Sequence, residues 1–161
     1  MSLDEYAKKR RFEKTPEPKP RIKVRKAKAG EGLIYVIQRH EASHLHWDLR
    51  LEEGGVLKSW AIPKEPPRET GVRRLAVAVE DHTLEYATFE GTIPEGEYGA
   101  GTVRIWDYGS YTPVSTTPAK RVFDIHGTSL SGTYCLIKLK PNDENDKNWL
   151  FFKQKDHAPS P

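Results

Sequence analysis

Short β-type runs separated by turn signals, with no long amphipathic helical segment, constrain this chain more than any other feature. Alternating or β-branched and aromatic-rich stretches cover residues 33–39, 43–52, 56–62, 73–80, 102–106, 121–124, 133–140 and 148–153. Turn signals fall at Glu53-Gly54-Gly55, Pro63 to Gly71, Asp107 to Gly109 and Ser131-Gly132, with a surface hairpin loop at Pro141 to Asp146. Short strands without βαβ alternation form an antiparallel barrel or sandwich; the predicted fold is mainly β, a small antiparallel β-barrel. A chain of 161 residues is long enough for one domain with a real core.

The N-terminal part reads differently. Ser2-Leu3-Asp4-Glu5 has capping-box spacing and predicts a short helix through the region of Tyr6 to Phe12. Thr15-Pro16-Glu17-Pro18-Lys19-Pro20 stops it, and its three prolines imply an extended linker. Net charge is only +3, but from Lys8 to Lys28 Lys and Arg far outnumber the two glutamates. Such an excess suits a polyanionic partner, and equally a solvated tail. The division expected is a basic, Pro-rich arm over 1–30, a barrel over 31–157 and a C-terminal tail over 158–161. The single Cys135 excludes an intramolecular disulfide and a thiolate zinc cluster, and is most simply a small core residue. No apolar run approaches the ~20 residues that cross a bilayer, and no signal-peptide pattern opens the chain. A cytoplasmic protein without a membrane partner is expected.

Chemistry concentrates at His40 to Glu52, HEASHLHWDLRLE. Successive strand side chains point to opposite faces, so His44, His46, Asp48, Arg50 and Glu52 share one face while Leu45, Trp47, Leu49 and Leu51 share the other. His46 and Asp48, about 6.6 Å apart along the strand, can converge on one divalent ion, and Arg50 can grip an anionic oxygen bound to it. His40 can turn back toward them through Glu41-Ala42-Ser43. Two imidazoles and a carboxylate suit Mn, Fe or Zn with open coordination positions. The same alternation also fits a half-exposed strand with an idle wet face. A second polar cluster follows, Glu80-Asp81-His82 and Tyr86, whose His and Tyr supply donors to an oxyanion. The Gly-rich stretch Glu90 to Gly101 supplies turns and matches no nucleotide-binding loop.

These segments, QRHEASHLHWDLRLE at 38–52, LKSWAIPK at 57–64, VEDH at 79–82 through Tyr86, and FEGTIPEGEYGAG at 89–101, together resemble the 3′-phosphoesterase domain of bacterial DNA ligase D and its stand-alone relatives. The resemblance covers nearly the whole chain. It implies a Mn²⁺-dependent site inside a small β-barrel, with other divalent transition metals as possible substitutes. That site trims 3′ ends of DNA or RNA, removing a terminal ribonucleoside and hydrolysing the remaining 3′-phosphate to a 3′-OH. Carried over, it makes His40, His46 and Asp48 the metal ligands and Arg50, His82 and Tyr86 the phosphate-binding set, all six catalytic. Gln38, Lys64, Arg74 and Glu80 match further polar positions near that site. Residues Tyr6 to Pro18 resemble the family's N-terminal arm, where Arg10 and Glu17 keep its polar positions. Arg11 departs from the acidic or amide residue usual there, which implies weak ribonucleoside removal. With no polymerase or ligase part, the chain resembles the stand-alone form, acting on primer-template 3′ ends beside a separate ligase and polymerase.

His44 reads as a supporting residue, and His126 and His157 as incidental. Two rivals remain. A non-haem Fe(II) oxygenase would use His46-x-Asp48 with His126 as the distal ligand. A non-catalytic nucleic-acid-binding barrel would use the basic arm and aromatics, leaving the convergence of His40, His46 and Asp48 unexplained.

Overall fold

From residue 33 onward nearly every predicted run is a strand. The computed structural model describes residues 3–18 and 32–155. Its elements are α1 (Leu3–Lys8), β1 (Leu33–Glu41), β2 (Leu45–Glu53), β3 (Val56–Ile62), β4 (Arg73–Thr83), β5 (Gly91–Ile93), β6 (Gly101–Thr116), β7 (Lys120–His126), β8 (Ser131–Lys138) and β9 (Asn148–Lys153). The antiparallel order is β1-β2-β3-β4-β9-β8-β7-β6, and β6 pairs back onto β1. This closes an eight-stranded barrel without a free edge. The short β5 lies beside the start of β6, outside the ring.

Strand parity divides the wall into two buried faces. Tyr35, Ile37, Leu49, Leu51, Trp60, Phe123, Tyr134 and Phe151 fill the interior. Val36 and Leu57 point outward instead, into a second cluster with Tyr6 of α1, Tyr86 and Ala87 of a 3₁₀ turn (Leu84–Thr88), and Ile93 of β5. A second layer therefore covers part of the outer wall. A helix of six residues is far too short to persist alone. At about 1.5–3 kcal/mol per buried large apolar side chain, the fully buried Tyr6 is what holds it down.

Three elements differ from expectation. The helix covers Leu3–Lys8 rather than extending to Phe12, because the Arg10 guanidinium turns back to donate to the Tyr6 carbonyl (3.1 Å) and onward to Glu17; the Ser2 of the capping box lies outside the described residues. Thr15 and Glu17, expected in a linker, are buried against the barrel. The turn expected at Asp107 to Gly109 lies inside β6, where a bulge opposite Ile37 and Gln38 shifts the register. The buried Asp107 there accepts from the Tyr35 hydroxyl (2.8 Å) and from the N–H groups of Thr128, Ser129 and Leu130 (2.9, 3.0 and 2.9 Å). Gly109 allows two segments to touch, since a Cβ there would lie 2.1 Å from the His126 carbonyl oxygen.

Candidate functional site

The register of β1 on β2 sets His40 opposite His46 and Gln38 opposite Asp48, with Val36 opposite Arg50. All of these lie on the outer face of the wall, whereas the resemblance implies a site inside the barrel. The inward positions of the same strands are Tyr35, Ile37, Trp47, Leu49 and Leu51; charges placed among them would lose hydration without gaining partners. The site instead occupies a cleft of about 340 Å³ between the outer wall and the layer over it.

One potential ligand atom each from His40, His46 and Asp48 lies within 4.8 Å of the others. Asp48 Oδ2 is 3.6 Å from His40 Nδ1 and 3.3 Å from His46 Nε2. The remaining ring nitrogens are engaged by backbone: His40 Nε2 lies 2.6 Å from the Gly99 carbonyl and His46 Nδ1 3.0 Å from the His44 carbonyl. With N–H groups donated there, the lone pairs of His40 Nδ1 and His46 Nε2 face Asp48, as ligation of a cation requires. Burial alone would raise the Asp48 pKa, but Arg50 and the two imidazoles hold it well below the usual carboxylate range. Burial would lower the His46 pKa, but hydrogen bonding and charge from Asp48, together with the His44 carbonyl, raise it above its usual value. The three residues could hold a divalent ion.

Arg50 is buried beside them. Its Nε donates to Gln38 Oε1 (2.6 Å) and its Nη2 to Asp48 Oδ2 (3.4 Å), and its Cζ sits 4.7 Å from the Tyr86 ring centroid. Gln38 in turn donates to the carbonyls of Tyr86 (2.7 Å) and Phe89 (3.0 Å), which orients its oxygen toward Arg50. Arg50 Nη1 is buried with no hydrogen-bond partner among the described residues. An unsatisfied buried donor costs about 1–3 kcal/mol, more when charged, so this one is an opening for an anionic oxygen. His82 lies across the cleft with its Nδ1 3.0 Å from the Glu80 carbonyl. Its Nε2, 3.2 Å from Arg10 Nη2, can only accept, because a guanidinium only donates. Burial, then Arg50 and Arg10, push the His82 pKa well below its usual value.

Residues 38–138 match the family model of the DNA Ligase D 3′-phosphoesterase domain. The chain belongs to this family. It is 48% identical over 160 residues to the multifunctional non-homologous end joining protein LigD of Pseudomonas aeruginosa, covering 96% of this chain and 19% of that protein. Against the multifunctional non-homologous end joining DNA repair protein LigD of Mycobacterium tuberculosis (strain ATCC 25618 / H37Rv) it is 45% identical over 157 residues, 95% of this chain and 20% of the other. The chain thus spans about a fifth of the length of the curated relatives it matches.

In this 3′-phosphoesterase domain the N-terminal segment completes the cleft, a contribution the linker reading missed. Arg10 Nε donates to Glu17 Oε2 (2.7 Å) and Arg10 Nη1 to Glu80 Oε1 (3.3 Å). The Tyr86 hydroxyl donates to the same Glu17 oxygen (2.9 Å), and Thr15 Oγ1 to the other (3.0 Å). Burial would raise the Glu80 pKa, but a backbone hydrogen bond together with Lys9 and Arg10 holds it below its usual value. Arg10, Glu17, Glu80, His82 and Tyr86 therefore line one cleft with the His40, His46 and Asp48 group, and Gln38 supports it from behind. Lys64 and Arg74 do not line it. With Arg73 they border a separate hollow of about 230 Å³, and Arg74 Nε is taken up by the Glu65 carbonyl (2.8 Å).

Arg11 points away from the cleft to an ion pair with Glu97. His44 contributes its backbone carbonyl. His126 Nε2 lies 3.3 Å from Thr112 Oγ1, paired on β7 with β6 and outside the metal-ligand group, so it cannot complete an oxygenase triad with His46 and Asp48. His157 lies outside the described residues. Gly99, read only as a turn former, does more: at φ +75° its carbonyl meets His40, and a Cβ would lie 3.3 Å from His40 Cε1. A backbone ligand-orienting group has no residue-type signal.

Proposed function

We propose that the domain is a Mn²⁺-dependent 3′-end-healing hydrolase that removes the phosphate from 3′-phosphate ends of DNA or RNA at primer-templates, leaving a 3′-OH. The observation that carries this reading is Arg50 Nη1, without a partner among the described residues and buried beside three converging ligand atoms. His40, His46 and Asp48 would hold Mn²⁺ or another divalent transition metal. Such an ion supplies Lewis acidity toward a phosphoryl oxygen. Arg50 binds another oxygen and balances the charge that grows there in the transition state. Water adds to phosphorus as the bond to the 3′ oxygen breaks. His82 is neutral in this arrangement; an arriving phosphate offsets the two guanidiniums and draws a proton onto Nε2, so that His82 becomes a donor to phosphate. Tyr86, whose proton goes to Glu17, holds the Arg50 guanidinium against its ring.

Ribonucleoside removal is the weaker activity on this reading, because Arg11 turned to Glu97 offers the cleft no acceptor. The relatives' names place them in non-homologous end joining. By extension this chain heals ends for a separate ligase and polymerase in the cytoplasm, with residues 1–30 as the arm, 31–157 as the barrel domain and 158–161 as the tail. Among the described residues no helix is long and apolar enough to cross a membrane.

The test is phosphate release from an oligonucleotide 3′-phosphate with Mn²⁺, with and without chelator, beside a 5′-phosphate control. Release from the 3′ end alone, lost with chelator, is expected; chelator-insensitive release or equal action on 5′ ends refutes the reading. Asp48→Asn should weaken Mn²⁺ binding measured directly, since a neutral amide lacks the charge that holds a hard cation.

A further inference from the structure

Three tyrosines stand around the cleft, and two are used up in building it. Tyr6 and Tyr86 are buried, at 0% and 2% exposed, whereas Tyr98 is 46% exposed although it lines the same cleft. Its position is not loose. The neighbouring Gly99 carbonyl is hydrogen-bonded to His40, and Gly96 and Gly99, at φ +86° and +75°, set the turns on either side. Lys9 Nζ lies 4.7 Å and Arg10 Cζ 5.3 Å from its ring centroid, and Lys9 Nζ also reaches its hydroxyl at 3.3 Å. These contacts orient the ring from the arm side and leave nearly half of the residue open to whatever enters.

We propose that Tyr98 is a stacking platform for the nucleobase of the terminal nucleotide, making it a substrate-binding residue that selects ends carrying a base. This rests on the phosphoesterase reading above. A 3′-phosphate seated against Arg50 and the ligand group belongs to a nucleotide whose base is separated from it only by the sugar. An exposed aromatic one residue from the carbonyl that touches His40 lines the same cleft as Arg50 and the ligand group. Stacking on one aromatic face accepts all four bases, as end healing requires. The cations beside the ring suit the next phosphate of the strand.

The experiment uses the full chain with Mn²⁺ and two oligonucleotide 3′-phosphates that differ only in whether the last sugar carries a base. Stacking contributes about 1–3 kcal/mol per base, so KM for the base-bearing end should be about 5- to 150-fold lower. Tyr98→Ala and Tyr98→Leu should raise KM for that end by a similar factor, with little change in kcat, and collapse the difference between the two substrates. Tyr98→Phe should preserve it. A difference that persists undiminished in Tyr98→Ala overturns the assignment. Terminal 2-aminopurine supplies an independent readout: its fluorescence should be quenched on binding to the unmodified protein and to Tyr98→Phe, but not to Tyr98→Ala. Absence of phosphate release from either substrate would refute the phosphoesterase reading, and the quench alone would then decide the fate of the platform. Equal quenching by Tyr98→Ala would sink it.

Discussion

The two faces of β2 are equally hidden and held by different forces. Leu49 and Leu51 enter the barrel, where eight strands supply apolar neighbours and neither side chain needs a partner. Asp48 and Arg50, 5% and 2% exposed, lie under a layer made of α1, the 3₁₀ turn and residues up to Pro18. There Asp48 and the Nε and Nη2 of Arg50 are matched to named neighbours, while Arg50 Nη1 has none among the described residues. Burial by itself therefore does not separate core from site. The accounting of donors and acceptors does, since an apolar face is complete when packed, whereas a polar face is complete only when every charge is answered.

The sharpest way to break this comparison is to substitute adjacent residues. Arg50→Ala should lower kcat for 3′-phosphate release by about 10²–10³ while Mn²⁺ affinity survives. Leu49→Ala should leave the kcat of the folded fraction nearly unchanged and lower unfolding free energy by about 2–5 kcal/mol. Denaturant melts and steady-state rates on both variants check it; a Leu49→Ala protein that is stable and inactive would show that the two faces are not separable.

Acid should distinguish the faces next. His82 has its pKa depressed by burial and by Arg50 and Arg10, so its neutral form stabilises the folded state above the unfolded value of about 6.5. That stability is lost as pH falls below this value toward the folded pKa. The side chains that fill the barrel interior include no histidine, so amide protection factors around residues 82–89 should fall between pH 7 and 5 before those in β7 and β8 do. Simultaneous loss of protection would mean that barrel and covering layer open as one unit.

The smallest effect concerns Arg11. Arg11 is exposed but its partner Glu97 is nearly covered, so Arg11→Asp, which sets two carboxylates together, should lower the melting temperature slightly and leave the phosphate-releasing site intact. The substitution should raise the ratio of ribonucleoside removal to phosphate release, and added salt should mute the difference. An unmodified protein that performs both reactions equally fast would remove any selective role from Arg11.

Much of this was legible along the chain because strand parity is a local property. The period-2 alternation of HLHWDLRLE assigned His46, Asp48 and Arg50 to one face and Trp47, Leu49 and Leu51 to the other, and pairing with β1 kept both assignments. The length of β6 was not legible, since Asp107 and Gly109 carry turn chemistry and are strand residues only because a bulge and a crossing segment need them. Nor was the separation of Lys64 and Arg74 from the cleft, which depends on where the connection between β3 and β4 lies.

The sequence by itself determined the element type, the composition of each strand face and the set of residues able to hold a cation, because alternation and side-chain chemistry act over a few residues. Only the tertiary structure decided that the site lies on the outer wall, that Arg10 reaches Glu80 across the cleft, and that the backbone carbonyl of Gly99 orients the His40 imidazole. Those facts depend on contacts between residues far apart in the chain, as between Arg10 and Glu80 or His40 and Gly99, and no local pattern encodes which distant partner will satisfy a given charge.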